Sequence, residues 1–243
     1  MFHFFRKSKK PLFDGLCDMH NHLLPAIDDG SKSVAMSLQM LEGYKELGFT
    51  SILPTPHVYQ ELYPNTPATI KKAFDTLTTE LSSTNIIKVA SYGAEYMVDE
   101  VFMEHLKTSM PSLLLPTRHI LLEINFFGQT HMLVEAGFTL QQQNISPILA
   151  HPERYHLIKQ IKDYKALKQK GFLLQLNALS LLGHYGPEVK QKALQLLKAG
   201  LYDFVATDAH HPAHVKVLKN LSLTKKQGMQ WQAIREYQQA VFS

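Results

Sequence analysis

Seven short apolar runs, each followed by a longer segment of helical spacing, constrain this chain more than any other feature. Parallel strands need a crossover connection, and an amphipathic helix supplies one, so the alternation reads as successive βα units. The predicted strands are 16–20, 50–55, 88–94, 118–123, 146–150, 172–177 and 203–207. In the first predicted helix Val34, Leu38, Leu41 and Tyr44 share one face, Ser31 or Ser33 can cap the start, and Gly48 ends it. Further helices are predicted over 67–81, 130–143, 159–169 and 187–198. The 243 residues then divide into a flexible basic leader, 1–15, with Arg6, Lys7, Lys9 and Lys10, and a single domain, 16–243. Periodicity alone leaves a closed barrel and an open doubly wound sheet both available.

Composition removes several function classes. A formal charge of +4, partly carried by the leader, gives no basic groove for nucleic acid. No apolar stretch is long enough for a transmembrane segment, and the leader has no signal-peptide core. Cys17 is the single cysteine, which fits a reducing compartment and points to the cytoplasm. No arginine follows it closely enough to cradle a phosphate, so a cysteine-phosphatase loop is absent and Cys17 reads as buried filler.

The predicted strand ends carry the chemistry. His20 and His22 follow the first strand, His57 the second, Glu95 the third, and Glu123 closes the fourth; His151 follows the fifth, and Asp208 with His210 the seventh. The C-terminal ends of parallel strands converge on one face, so these side chains are expected to share one site. A lone His-x-His or a lone strand-end glutamate is usually incidental; five imidazoles and three carboxylates at strand ends of one polarity are not. Eight donors exceed what one ion needs, which suggests two or three metals with bridging carboxylates. Imidazole and carboxylate without thiolate suit manganese, iron or zinc. Such a centre stays strongly positive and calls for an anion, and phosphate-ester hydrolysis by a water made acidic through coordination is the matching chemistry.

These segments resemble the PHP (polymerase and histidinol phosphatase) domain, and more narrowly the metal-dependent bacterial protein-tyrosine phosphatases of the CpsB/CapC type. The carriers are Asp-Met-His-Asn-His-Leu-Leu-Pro-Ala-Ile-Asp-Asp-Gly over 18–30, Thr-Pro-His ending at His57, Gly-Ala-Glu at Glu95, Leu-Glu at Glu123, Ala-His-Pro-Glu-Arg over 150–154, and Thr-Asp-Ala-His ending at His210. The resemblance implies a distorted seven-stranded (β/α)7 TIM-like barrel holding three divalent ions, with manganese first and iron or zinc as alternatives. It implies His20, His22, His57, Glu95, Glu123, His151, Asp208 and His210 as ligands. It also implies Asp29 as acid or hydrogen-bond partner and Arg154 as phosphate holder. The structural alternatives are a turn for Asp29 and an ion pair with Glu153 or another nearby acid for Arg154. The implied partner is a phosphotyrosine protein, the tail of a membrane-associated tyrosine kinase of capsule or exopolysaccharide biosynthesis.

One departure stands out. Such phosphatases usually carry a second arginine shortly after the last motif, where this chain reads His211-Pro212-Ala213-His214-Val215-Lys216. Lys216 or His211 is expected to supply that charge, although a lysine offers a point charge where an arginine offers a fork. Asp18 is read either as orienting an imidazole or as a solvated strand end. His156, His184 and His214 are read as surface residues, and Tyr59, Tyr63, Phe126, Phe127, Tyr155 and Tyr185 as walls for a phenyl ring. The rival functions are a small-molecule phosphatase acting on histidinol phosphate or a sugar phosphate, and a weakly active regulator that binds through a metal cleft. A proofreading exonuclease fits less well without a basic groove.

Overall fold

The computed structural model describes residues 10–81, 87–109, 111–125 and 130–242. The leader charges Arg6, Lys7 and Lys9, together with Phe126 and Phe127, lie outside the described residues. Chain order runs β1 (Cys17–Asp18), α1 (Val34–Leu47), β2 (Ser51–Ile52), β3 (His57–Val58), α2 (Pro67–Leu81), β4 (Glu95–Met97), α3 (Glu100–Thr108) and β5 (His119–Glu123). It continues with α4 (Thr130–Gln142), β6 (Ser146–Ala150), α5 (Ile161–Gln169), β7 (Leu173–Asn177), α6 (Ala178–Leu182), α7 (Pro187–Lys198), β8 (Phe204–Ala206), α8 (Pro212–Val217) and α9 (Lys225–Phe242). Every ladder pair is parallel. The α/β reading with a parallel sheet therefore holds.

The strands form a two-stranded sheet, β1-β2, and a six-stranded sheet, β3-β4-β5-β6-β7-β8, where one seven-stranded barrel was expected. Proline explains the difference. The predicted strand 50–55 is cut short to β2 by Pro54 and Pro56, which have no N–H to give to a ladder, and a separate β3 starts beyond them at His57. The neighbouring stretch 88–94 accordingly makes only scattered contacts, an isolated bridge between Lys88 and Ser51 and a bond from Gly93 N–H to the Pro54 carbonyl, and pairing resumes at Glu95. Isolated bonds also join the far edges: Asp208 N–H donates to the His20 carbonyl at 2.8 Å and His22 N–H to the Ala209 carbonyl at 3.0 Å.

Local signals set the helices. Ser33 accepts the Met36 N–H at 3.2 Å to cap α1, and Gly48, at φ 93°, closes it in the left-handed region. Along β5, Ile120 and Leu122 pack toward the helices, while Leu121 joins Ile148, Ala150, Phe204 and Ala206 in a second cluster. The C-terminal helix α9, which the strand pattern did not reveal, ties the ends together. Its buried Gln238 accepts the Val205 N–H and donates to the carbonyls of Cys17 and Val205.

The leader boundary also moves. Phe13, assigned to a flexible leader over 1–15, is buried, stacks on Phe49 at 4.8 Å and meets the Trp231 edge at 5.5 Å. Burying a phenyl ring outweighs the entropy of ordering its neighbours.

Candidate metal centre

The side chains expected at strand ends do converge, although His57 and Glu95 open β3 and β4 rather than following the second and third predicted strands. His20 Nε2 lies 3.1 Å from Glu95 Oε2 and 3.3 Å from Asp208 Oδ1. His22 Nε2 lies 3.2 Å from Asp208 Oδ1 and 3.5 Å from Glu95 Oε2. His57 Nδ1 approaches Glu123 Oε1 at 2.8 Å and Glu95 Oε2 at 3.3 Å, and His151 Nε2 approaches Glu95 Oε1 at 3.0 Å. His57 Nε2 and His210 Nε2 each stand 3.5 Å from Asp29 Oδ1. Three overlapping sets have donor atoms within 4.8 Å of one another: His20, His22, Glu95 and Asp208; His57, Glu95 and Glu123; His22, Asp29, His57 and His210. Glu95 belongs to two sets and also touches His151, which makes it the hub.

Hydrogen bonds fix which imidazole nitrogens carry lone pairs. Gln175 donates its amide to the Leu176 carbonyl, so its Oε1 faces His20 Nδ1, which must be the donor at 2.9 Å. Asp28 Oδ2 accepts from His22 Nδ1 at 2.9 Å, and the Asp208 carbonyl from His210 Nδ1 at 2.9 Å. Each ring therefore turns an Nε2 lone pair inward, where the neighbours are carboxylate oxygens. Buried His20 Nε2, His22 Nε2, His57 Nδ1 and Glu95 Oε2 have no aligned hydrogen bond despite these short separations. Lone pairs gathered in this way fit cations.

The electrostatics agree. Burial opposes charge on His20 and His22, yet Glu95 and Asp208 beside the first, and Asp28 with Asp208 beside the second, lift both above the ordinary imidazole value. Burial and His22 oppose charge on His57, but Glu123 and Glu95 raise it to about 9. Glu95 and Asp208 are held well below the usual carboxylate range against their own burial, chiefly by His20. The cluster demands positive charge.

Sequence reading missed the orienting groups. Gln175 and Asn177 are buried polar residues inside an apolar strand, and Asp28 stands in the Asp-Asp-Gly turn, so polarity in those positions was the available signal. Asp18 does not orient an imidazole; its oxygens accept the N–H and the hydroxyl of Thr207 at 2.9 and 2.6 Å and clasp β1 to β8. Strand alternation would turn His151 toward the helices, but its φ of 32° bends it inward, and Asp208 sits at φ 50°. Left-handed backbone at non-glycine residues costs roughly 1–3 kcal/mol and clusters at functional sites.

A cleft of about 560 Å³ opens over the cluster, walled in part by Tyr59, Tyr63, Arg154, Tyr185 and His214. Tyr63 stacks on His57 with centroids 5.2 Å apart. Arg154 pairs with Asp208, while Glu153 turns away to Asn177, Ser180 and Tyr202. Lys216 and His211 do not line the cleft: Val215 buries against Gly43 of α1, which rotates Lys216 to solvent, and His211 packs on His214. His214, read as a surface residue, lines the cleft, and its Nδ1 accepts the His210 N–H at 3.3 Å. His156 and His184 are exposed, as expected. Tyr155 is no cleft wall; it is fully buried, with its hydroxyl accepting the Ile124 N–H. Cys17 is buried, and its thiol is pushed up to about 12 by that burial, which removes it as a nucleophile.

Gly30 makes this packing possible, because a Cβ there would meet the Cβ and carbonyl oxygen of His22 at 2.3 Å. Gly30→Ala is expected to destabilise the fold by about 1–3 kcal/mol and to lower metal content. Thermal unfolding and elemental analysis check this; parental values in both would remove the steric argument.

A parallel α/β scaffold with imidazoles and carboxylates gathered at one end of its strands defines a hydrolase-type metal centre. The chain belongs to the family described as capsular polysaccharide synthesis, CpsB/CapC, whose profile matches residues 16–230. It is 33% identical over 198 residues to the tyrosine-protein phosphatase YwqE of Bacillus subtilis (strain 168), covering 81% of this chain and 78% of that protein. A crystal structure from work on YwqE and on CpsB of Streptococcus pneumoniae, described as metal-dependent tyrosine phosphatases, superposes with a TM-score of 0.73 at 28% identity, covering 91% of this chain and 95% of that one. The lactonase Lmo2620 of Listeria monocytogenes shares the fold alone, at 13% identity and a TM-score of 0.59 over 96% of each chain. The fold therefore hosts more than one chemistry.

Proposed function

We propose that this chain is a metal-dependent protein-tyrosine phosphatase holding three divalent ions, manganese first with iron or zinc as alternatives. Its substrate is the phosphotyrosine tail of a membrane-associated tyrosine kinase of capsule or exopolysaccharide synthesis, met in the cytoplasm. The observation that carries this reading is the set of inward imidazole lone pairs facing carboxylate oxygens around Glu95. The three overlapping donor sets, one of which counts Asp29 beside the proposed ligands His22, His57 and His210, support three ions, with His151 joining through Glu95. Bound divalent ions would supply a water of lowered pKa and neutralise phosphate charge. Support for the substrate comes from YwqE, a tyrosine-protein phosphatase by name, and from the aromatic walls of the cleft.

The chain's own groups then divide the work. Arg154 grips the phosphate oxygens, since a guanidinium matches them in a planar fork. Asp29, with a side chain 48% exposed, has its carboxyl held below the ordinary range: burial works the other way, but His210 and the other imidazoles prevail. Its two implied roles, acid and hydrogen-bond partner, both draw on its place beside His57 and His210 at the cleft. Tyr59, Tyr63 and Tyr185 border the phenyl ring. One domain takes in Phe13 together with residues 16–243, and the two sheets act as one distorted barrel in which β2 and β3 are a single interrupted stave. No helix among the described residues is long and apolar enough to cross a membrane.

A chelator is expected to abolish hydrolysis of a phosphotyrosine peptide and manganese to restore it; undiminished turnover in chelator overturns the metal role. The peptide is expected to react at least about tenfold faster than histidinol phosphate or a sugar phosphate. The reverse preference would make the protein a small-molecule phosphatase, and no turnover of any monoester would leave the binding regulator.

A further inference from the structure

Arg154 ends the short turn Pro152–Arg154 after β6, and groups from two other elements hold it. Its Nη1 donates to Asp208 Oδ2 at 2.9 Å, and its Cζ lies 4.3 Å from the centroid of the Tyr185 ring. Tyr185 is held in turn. Asn177, the last residue of β7, donates through Nδ2 to the Tyr185 hydroxyl at 3.0 Å and to Asp208 Oδ2 at 2.8 Å. Its own N–H donates to Glu153 Oε1 at 3.0 Å, and its Oδ1 accepts the Leu179 N–H at 2.9 Å, so the amide cannot rotate freely. Arg154, Asp208, Asn177 and Tyr185 thus close a ring of contacts.

A guanidinium tied only to Asp208 can swing about that contact, whereas one laid over an aromatic face has its plane fixed as well. Fork-like recognition of phosphate depends on that plane, and ordering it before binding removes an entropy cost. Tyr185 also lines the cleft, so its ring lies where substrate enters.

We propose that Tyr185 is the positioning residue for Arg154: its ring sets the guanidinium plane for phosphate, and Asn177 sets the ring. This rests on the reading of the cleft as a phosphate site. The test is a double-mutant cycle on manganese-loaded full-length protein, with inorganic phosphate as the probe and binding followed by calorimetry. Tyr185→Leu is expected to weaken phosphate binding about five- to tenfold, and Tyr185→Phe, which keeps the phenyl face but loses the hydrogen bond from Asn177, by an intermediate factor of about two to three. In an Arg154→Ala background Tyr185→Leu is expected to cause no further loss. Tyr185→Gln, which also lacks an aromatic face, serves if the leucine variant does not fold. Equal losses in both backgrounds, or no loss with Arg154 present, overturn the inference. Aryl-phosphate turnover is measured alongside: turnover without coupling sinks Tyr185 and keeps the phosphatase, and coupling without turnover does the opposite.

Discussion

Glu95→Gln is expected to lower aryl-phosphate kcat/KM roughly a thousandfold and to strip metal from the protein. Glutamine keeps the volume and one carbonyl oxygen but loses the charge that His20, His22, His57 and His151 all face within 3.5 Å. Among the proposed ligands Glu95 is fully buried, so water cannot replace the lost anion. Two of the three donor sets lose their shared member at once. Elemental analysis and kinetics on the same preparation separate the effects: reduced metal with reduced turnover is expected, and parental values for both would remove Glu95 from the centre. Thermal unfolding of the chelator-treated variant shows whether the loss is local.

Arg154→Ala is expected to lower kcat/KM about a hundredfold and to weaken inhibition by inorganic phosphate, with metal content unchanged. The side chain is about one-fifth exposed at the cleft wall, and its pairing with Asp208 uses Oδ2, whereas His20 and His22 face Oδ1. Removing it leaves Asn177 still donating to Asp208 Oδ2, so the carboxylate keeps a partner. Arg154→Lys is expected to recover little, since an ammonium cannot reproduce the fork. Equal phosphate inhibition of variant and parent would end its assigned role.

Much of the candidate centre is legible in the sequence before folding. His20, Glu95, Glu123, His151 and Asp208 were legible because each ends or follows an apolar run, and run length is a local property. Helix α1 was legible for the same reason, with Ser33 and Gly48 acting within a turn of their own positions. The split of β2 from β3 is also encoded locally, in the two N–H donors that Pro54 and Pro56 lack inside an otherwise apolar run. Lys216 failed as a substitute cation because its direction depends on Val215 seating against Gly43, a contact between α8 and α1. Helix α9 carries a helically spaced apolar face of Trp231, Ile234 and Phe242 that lies outside the strand pattern, and its buried Gln238 acts through hydrogen bonds to β1 and β8 that no periodicity encodes.

By itself the sequence determined the succession of βα units, the chemical type of each donor and, for donors such as Glu123 and His151, the strand end on which it stands; His57 and Glu95 instead open β3 and β4. Short-range hydrophobic patterning and the fixed direction of parallel strands are enough for that. Tertiary structure alone decided that Glu95 is the hub, that Gln175 and Asp28 set the imidazole tautomers, and that Arg154 lies between Asp208 and Tyr185. Those pairings join residues up to 155 positions apart. They depend on strand register and on the left-handed turns at His151 and Asp208, which only the packed neighbours impose.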